Sequence, residues 1–411
     1  MDKIRRFQQD TFYISTFNAI SSEEHMRAQL QHHKDTGFNL VEFTFKDRET
    51  VLRALPICEE LGLKSIVQDR DFGGIGFEQD NIVVTTDEMV QRAAERYAPF
   101  KEVLGFYVWD EPAFENFSTC RDTINRFRRF APDKLGFSVM VPSYGIYAWQ
   151  ANDTWTGDVP LEERPYAKYV RQYIEETDCD VVSVDYYPFA VSKEARLIEN
   201  DMWRDMGCVR KYAKAAGRPF WFYFQGKWDF PASDDVGGIG MTYEKLAVQA
   251  YAALAYGVKQ LSYFTSSSLV SVTTDAKGPL YDEVKRLNHK MMNLGTFLLH
   301  KESDVICHTG LPEDLRQAYF LDRPEDIAFV RAMPDRLIAG TFTDGTDAKY
   351  LMLSNKDFEN AVSGELQLDG RYAVSLFDDE DGTLKPLGCA DRAAVTLAPG
   401  EGRLYVLNPI V

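Results

Sequence analysis

No stretch of this chain is apolar for long enough to cross a membrane, and the opening Met1-Asp-Lys-Ile-Arg-Arg-Phe-Gln-Gln-Asp10 lacks the apolar core of a secretory signal. A cytoplasmic protein with no membrane partner is expected. The six cysteines (Cys58, Cys120, Cys179, Cys208, Cys307, Cys389) lie far apart with no Cys-x-x-Cys pair, which argues against a disulfide framework or a thiolate metal site. Positive charge is scarce. Lys and Arg number 46 against 63 Asp and Glu, for a net charge of −17, and no basic run interrupts this. Such a surface repels a phosphate backbone, so nucleic acid is not an expected partner, whereas a neutral or cationic small ligand is easier to accommodate. The six histidines form neither His-x-His nor His-Glu-x-x-His, and none ends a strand-like run. Metal-dependent hydrolysis is disfavoured, and neither a metal nor a cofactor is expected. A Gly-x-Ser-x-Gly elbow and Gly-rich phosphate loops are also missing.

What is present is an alternation. Eight strand-like runs follow one another: Phe12 to Ala19, Phe38 to Phe45, Lys64 to Asp69, Val103 to Trp109, Leu135 to Val141, Asp180 to Tyr187, Pro219 to Gln225 and Lys259 to Thr265. Most are β-branched or aromatic with little alternation, as in strands buried on both faces. Helical spacing fills the gaps. The first helix is expected to begin at Ser21-Ser-Glu-Glu24, a capping-box pattern, and the last shows Val284, Leu287, Met291, Leu294 and Leu298 on one face. Strand and helix repeated eight times predicts a (β/α)8 barrel over residues 1–302, with an open doubly wound sheet as the competitor. Beyond it, short β runs separated by turns such as Asp344-Gly345 and Asp381-Gly382 predict a small C-terminal β-sandwich over residues 303–411.

In such a barrel the active site is built at the carboxyl ends of the strands, so polar residues there are the candidates. They are Asn18 after the first strand, Asp69 and Asp71 after the third, Asp110 and Glu111 after the fourth, Asp185 on the sixth and Gln225 on the seventh. The run Val103-Leu-Gly-Phe-Tyr-Val-Trp-Asp-Glu-Pro112 drives an apolar strand into two adjacent carboxylates. Asp-Glu-Pro is also an ordinary helix entry, but its place after the fourth strand makes Glu111 the leading candidate for a catalytic acid. Cleavage of a glycosidic bond needs a proton donor for the leaving oxygen and a second group that attacks, activates water or stabilises charge. Glu111 fits the donor, its proton affinity raised by Asp110 and by burial behind Trp109. Asp110 alternatively only orients the loop. Asp185 serves either as a second carboxylate or structurally, for instance paired with Arg70. Trp109, Trp149, Tyr187, Tyr223 and Phe264 are candidates to touch a sugar, with the loop from Tyr144 to Trp155 the richest source of exposed rings.

Trp109-Asp-Glu-Pro112, Asp185-Tyr-Tyr-Pro188, and Ala252-Ala-Leu-Ala-Tyr-Gly257 leading into Gln260-Leu-Ser-Tyr-Phe264 resemble barrel glycoside hydrolases related to clan A, including beta-galactosidase-like members with a C-terminal β-domain. The resemblance implies an O-glycosyl hydrolase acting on a glycoside or oligosaccharide, with Glu111 as the proton donor and Asp110 where that family usually has Asn. The same resemblance implies a nucleophilic Glu at the end of the seventh strand, where this chain has Gln225. Two readings accommodate the departure: a substrate-assisted N-acetylhexosaminidase using Asp110 and Glu111, or a Glu111–Asp185 pair. A non-catalytic carbohydrate-binding barrel is a third reading, and a homo-oligomeric scaffold using the β-domain a fourth.

Overall fold

Short apolar runs flanked by turn residues become parallel strands when both of their faces can be covered, one by the barrel interior and the other by helices. The protein's structure, a computed structural model, describes residues 6–20, 23–69, 71–72, 84–145, 160–189, 202–226, 240–266, 269 and 275–410. Each of the eight runs is a strand: β1 (Tyr13–Thr16), β2 (Leu40–Phe43), β3 (Lys64–Val67), β4 (Val103–Asp110), β5 (Leu135–Val139), β6 (Val182–Tyr186), β7 (Phe220–Gln225) and β8 (Gln260–Phe264). They pair in parallel as β2-β3-β4-β5 and β1-β8-β7-β6. Two seams join the halves. Asn39 accepts from the Ile14 N–H at 2.9 Å beside β1 and β2, and the Met140 N–H donates to the Ser183 carbonyl at 2.9 Å between β5 and β6.

Around the strands lie α1 (Met26–Asp35), α2 (Arg48–Leu61), α3 (Asp87–Tyr97), α4 (Phe117–Phe130), α5 (Pro165–Thr177), α6 (Trp203–Ala215), α7 (Tyr243–Ala255) and α8 (Tyr281–Leu298). Side-chain caps start several of them: Asp47 for α2, Thr86 for α3 and Thr242 for α7 each accept a backbone N–H of the first turn. The capping box expected for α1 falls on Ser21, outside the described residues. That helix starts at Met26 behind His25, which makes no side-chain cap, while Glu23 binds Thr50 Oγ1 at 2.6 Å and pairs with Arg53. The apolar face of α8 is buried as its spacing predicts.

From β9 (Glu302–His308) onward the chain builds an antiparallel sheet. After the short α9 (Glu313–Ala318) come β10 (Val330–Ala332), β11 (Leu337–Thr343), β12 (Lys349–Asn355), β13 (Val362–Asp378), β14 (Thr383–Leu397) and β15 (Gly402–Pro409). The order is β10-β13-β15-β12-β11-β9, with β14 paired to β13. Gly364 to Leu368 and Ala373 to Phe377 belong to one long strand, β13, whose halves pair with β10 and β15 respectively. Alternation divides the faces. Ile338, Tyr350, Met352 and Leu404 join the core shared with the barrel, whereas Leu337, Leu351, Leu353 and Tyr405 form a separate core with Val362, Leu366 and Val395 from the β13–β14 hairpin.

Candidate active site

Two neighbouring residues on a regular strand point to opposite faces, yet Asp110 and Glu111 both face the barrel mouth. Two local departures achieve this. A bulge in β4 puts Tyr107 opposite Phe137 and Trp109 opposite Ser138, so Val108 is extra and both Val108 and Trp109 turn to the helix layer. Asp110 thereby returns to the inward face. Glu111 then takes a left-handed φ of +49° while its N–H donates to the Val139 carbonyl at 3.0 Å, and the side chain swings over the strand ends. A left-handed glutamate is held only where its surroundings enforce it, and such strain gathers at functional sites. On β6 simple alternation suffices: Val182, Val184 and Tyr186 pack outward, and Asp185 faces in.

These residues line a cavity of about 120 Å³ with Phe17, Phe45, Tyr107, Val139, Tyr187, Tyr223 and Phe264. Tyr187 stacks on Phe264 with centroids 4.5 Å apart. No cationic side chain is among the described residues lining it. The electrostatics follow from that. Burial pushes the Asp185 carboxyl up to about 7, against bonds from the Tyr187 hydroxyl and Glu111. Asp110, buried and accepting from the Tyr107 hydroxyl at 2.8 Å, is pushed up to about 6. Glu111 is raised well above the usual carboxylate range, first by burial, then by the charges of Asp185 and Asp110, and by the hydrogen bond that it donates to Asp185. Asp185 Oδ1 is buried and meets no hydrogen-bond donor among the described residues. Of the two carboxyls, Glu111 is the one pushed further toward its protonated form.

A fourth carboxyl lies deeper and escaped the sequence reading. Glu42 on β2 is fully buried and accepts from Ser15 at 2.8 Å, from Ser262 at 3.1 Å and from the Tyr223 hydroxyl. Burial pushes it up to about 7. Its signal was available, a single acidic residue inside Leu40-Val-Glu-Phe43, but its strand has no polar end to attract notice. Phe17, Phe45 and Tyr107 were likewise missed, being indistinguishable from core residues before the barrel closes.

Several expected site residues are elsewhere. Asp69 and Asp71 do not line the cavity: Asp69 is clamped by Arg48 at 2.8 Å, Arg96 at 2.6 Å and the Tyr97 hydroxyl at 2.9 Å, and Asp71 binds the same two arginines. Burial pushes Asp69 up, and these donors more than reverse it, leaving the carboxyl below its ordinary value. Trp109 is core, turned outward by the bulge. Gln225 does not reach the cavity either. Its side chain accepts the Phe189 N–H at 2.7 Å, holding the turn after β6. Asn18, with φ +52°, sits beside Phe17 at the rim without lining the cavity, and its buried Oδ1 meets no donor among the described residues. Trp149, most of the Tyr144 to Trp155 loop and Arg70 fall outside the described residues.

No protein-family model matches the sequence, and no curated protein matches it either. Solved structures do resemble it in fold. A Bacteroides fragilis protein proposed to be an alpha-galactosidase superposes over 98% of this chain and 80% of its own, at 10% identity and a TM-score of 0.57. A beta-L-arabinopyranosidase of Geobacillus stearothermophilus covers 98% of both chains at 10% identity and a TM-score of 0.54, and alpha-galactosidase I of Mortierella vinacea covers 97% and 96% at 10% identity and 0.51. The chain is a (β/α)8-barrel protein with a C-terminal antiparallel β-domain, a fold shared with these barrel glycosidases.

Proposed function

We propose that the protein is a glycoside hydrolase in which Glu111 protonates the leaving glycosidic oxygen and Asp185 is its partner. One observation carries this: Glu111, held well above the usual carboxylate range by burial and by the charges of Asp185 and Asp110, shares with them an aromatic-lined cavity at the carboxyl ends of a parallel barrel. A general acid must hold its proton near neutral pH and release it to the substrate, and a buried carboxyl beside two others does so. Tyr187 and Phe264 offer a stacked apolar wall to a sugar face. That the similar folds include galactosidases and an arabinopyranosidase supports a carbohydrate as the ligand.

Substrate assistance by an N-acetamido group is the second reading, favoured because Gln225 is committed to Phe189 and no carboxylate ends β7. Asp185 and the Tyr187 hydroxyl would then orient the acetamido group. Assays on nitrophenyl glycosides with and without N-acetylation separate the two. Glu111→Gln is expected to lower turnover about 10²–10⁴-fold with the fold intact. Turnover within a few-fold of the unaltered protein would remove Glu111 from the mechanism, and sugar binding without product would leave a binding protein.

A further inference from the structure

At the opposite end of the barrel, by the amino ends of β6, β7 and β8, lies a second and larger cleft of about 510 Å³. Although the chain carries a net charge of −17, this cleft is lined by Arg6, Arg210, Lys214, Arg218, Lys259 and Lys301, with Asp180 and Glu302 as its acidic residues. Three of the cations are answered by carboxylates. Arg6 reaches Asp178 at 2.7 Å and Asp180 at 3.2 Å, Arg218 reaches Asp178 at 3.2 Å, and Lys214 is 3.7 Å from Asp304. Arg210, Lys259 and Lys301 have no carboxylate within 4.0 Å among the described residues. Their hydrogen bonds go to neutral oxygens instead. Arg210 donates to Ser303 Oγ at 3.1 Å and the Asp304 carbonyl at 2.6 Å; Lys259 Nζ donates to the carbonyls of Leu298 at 2.6 Å and Lys301 at 2.7 Å; Lys301 Nζ donates to the Phe297 carbonyl at 3.0 Å.

Carbonyls satisfy the N–H groups but supply only partial negative charge to cations of which Arg210 is buried and Lys259 and Lys301 are half-buried. The cost is visible in Lys259, which burial and the neighbouring Lys301 charge hold down to about 8 although Glu302 opposes them, and in Arg210, lowered by burial despite Asp322 and Asp304 nearby. The wall that gathers these cations depends on one glycine. Gly257, at φ +84°, brings the start of β9 so close that a Cβ there would sit 2.6 Å from that of Ser303.

We propose that this cleft binds a small phosphate-bearing anion, inorganic phosphate or a phosphate ester, against Arg210, Lys259 and Lys301. A phosphate dianion offers several acceptor oxygens to a guanidinium fork and two ammonium groups, and supplies in direct contact the countercharge that the described carboxylates provide only from a distance. The volume exceeds what phosphate fills, leaving room for the organic part of an ester. This reading stands apart from the glycosidase assignment, since none of these residues touches the catalytic cavity.

Calorimetric titration of the full chain at fixed ionic strength, with inorganic phosphate and with glucose 6-phosphate as probes, tests it. Saturable binding is expected, with proton uptake near pH 8 as Lys259 recovers its proton, and Lys301→Met should weaken it by about tenfold or more. Methionine keeps the packing over Phe297 and Tyr350, so this variant is expected to fold. Equal affinity for both probes points to free phosphate, and preference for glucose 6-phosphate points to an ester. No saturable heat with either probe, or unchanged affinity in Lys301→Met, overturns the proposal.

Discussion

Glu111 keeps its proton because no cation among the described residues reaches the cavity while two carboxylates do, so removing one of those charges has a definite sign. In Asp185→Asn the charge repulsion is lost and a neutral amide oxygen replaces the carboxylate, so the proton affinity of Glu111 falls. The pH profile of kcat/KM follows from the same pair. Its acid limb should rise as Asp185 ionises near 7, and its basic limb should fall as Glu111 loses its proton at higher pH. Any residual activity of Asp185→Asn should show the basic limb at lower pH; an unmoved limb would break the coupling. Glu42 supports a stability prediction. Its folded-state value of about 7 lies above that of an unfolded glutamate, so the stability it contributes is fully present at low pH and is lost as pH rises through 7. Glu42→Gln should therefore gain stability relative to the unaltered protein between pH 5 and 8, as read by urea melts across that range. A pH-independent difference would argue against a protonated Glu42.

At the scale of elements, the third βα unit shows how a charged strand end can be structural. Asp69 ties the end of β3 to Arg48 on α2 and Arg96 on α3, welding two helices to one strand. Breaking a buried pair costs about 3–5 kcal/mol, but these arginines are 36% and 21% exposed, and screening brings the expected loss for Asp69→Asn to about 2 kcal/mol. Activity per folded molecule should hold, and a large drop in kcat would return Asp69 to the site. The sequence places Asp69 and Asp185 alike, each a carboxylate at a strand end. What separates them is whether helices bring guanidinium groups to the same rim, and that depends on how neighbouring units pack. The β4 bulge illustrates the same limit, since nothing in the string of residues says that Val108 is the extra one.

For the whole molecule, the barrel and the β-domain share a core. Backbone meets backbone where Gly340 on β11 faces α7, leaving a Cβ only 2.0 Å from the Ala255 carbonyl oxygen. Around it Tyr251 binds Asp379 at 2.6 Å, Tyr243 binds Glu401 at 2.6 Å, and Lys290 reaches Glu401 at 3.4 Å. Gly340→Ala overfills this seam and should cost about 1–3 kcal/mol. All six tryptophans precede residue 229, so their fluorescence reports the barrel, with Trp203 alone among the described ones packed on a ring of the β-domain, His308 of β9. The variant's fluorescence midpoint should fall together with the calorimetric one in a single transition. A barrel signal that stays put while a second transition moves would show that the two parts unfold separately.

The amino-acid sequence by itself determined the eightfold alternation, the turn-punctuated β region and the placement of Asp110 and Glu111 at the end of the fourth strand, because periodicity and composition are local and survive without coordinates. Tertiary structure alone decided which carboxyls meet. Asp185 joins Glu111 across the closed barrel, Glu42 enters from beneath, and Asp69 and Gln225 are taken by neighbours, since a side chain's charge state and reach depend on groups far away along the chain.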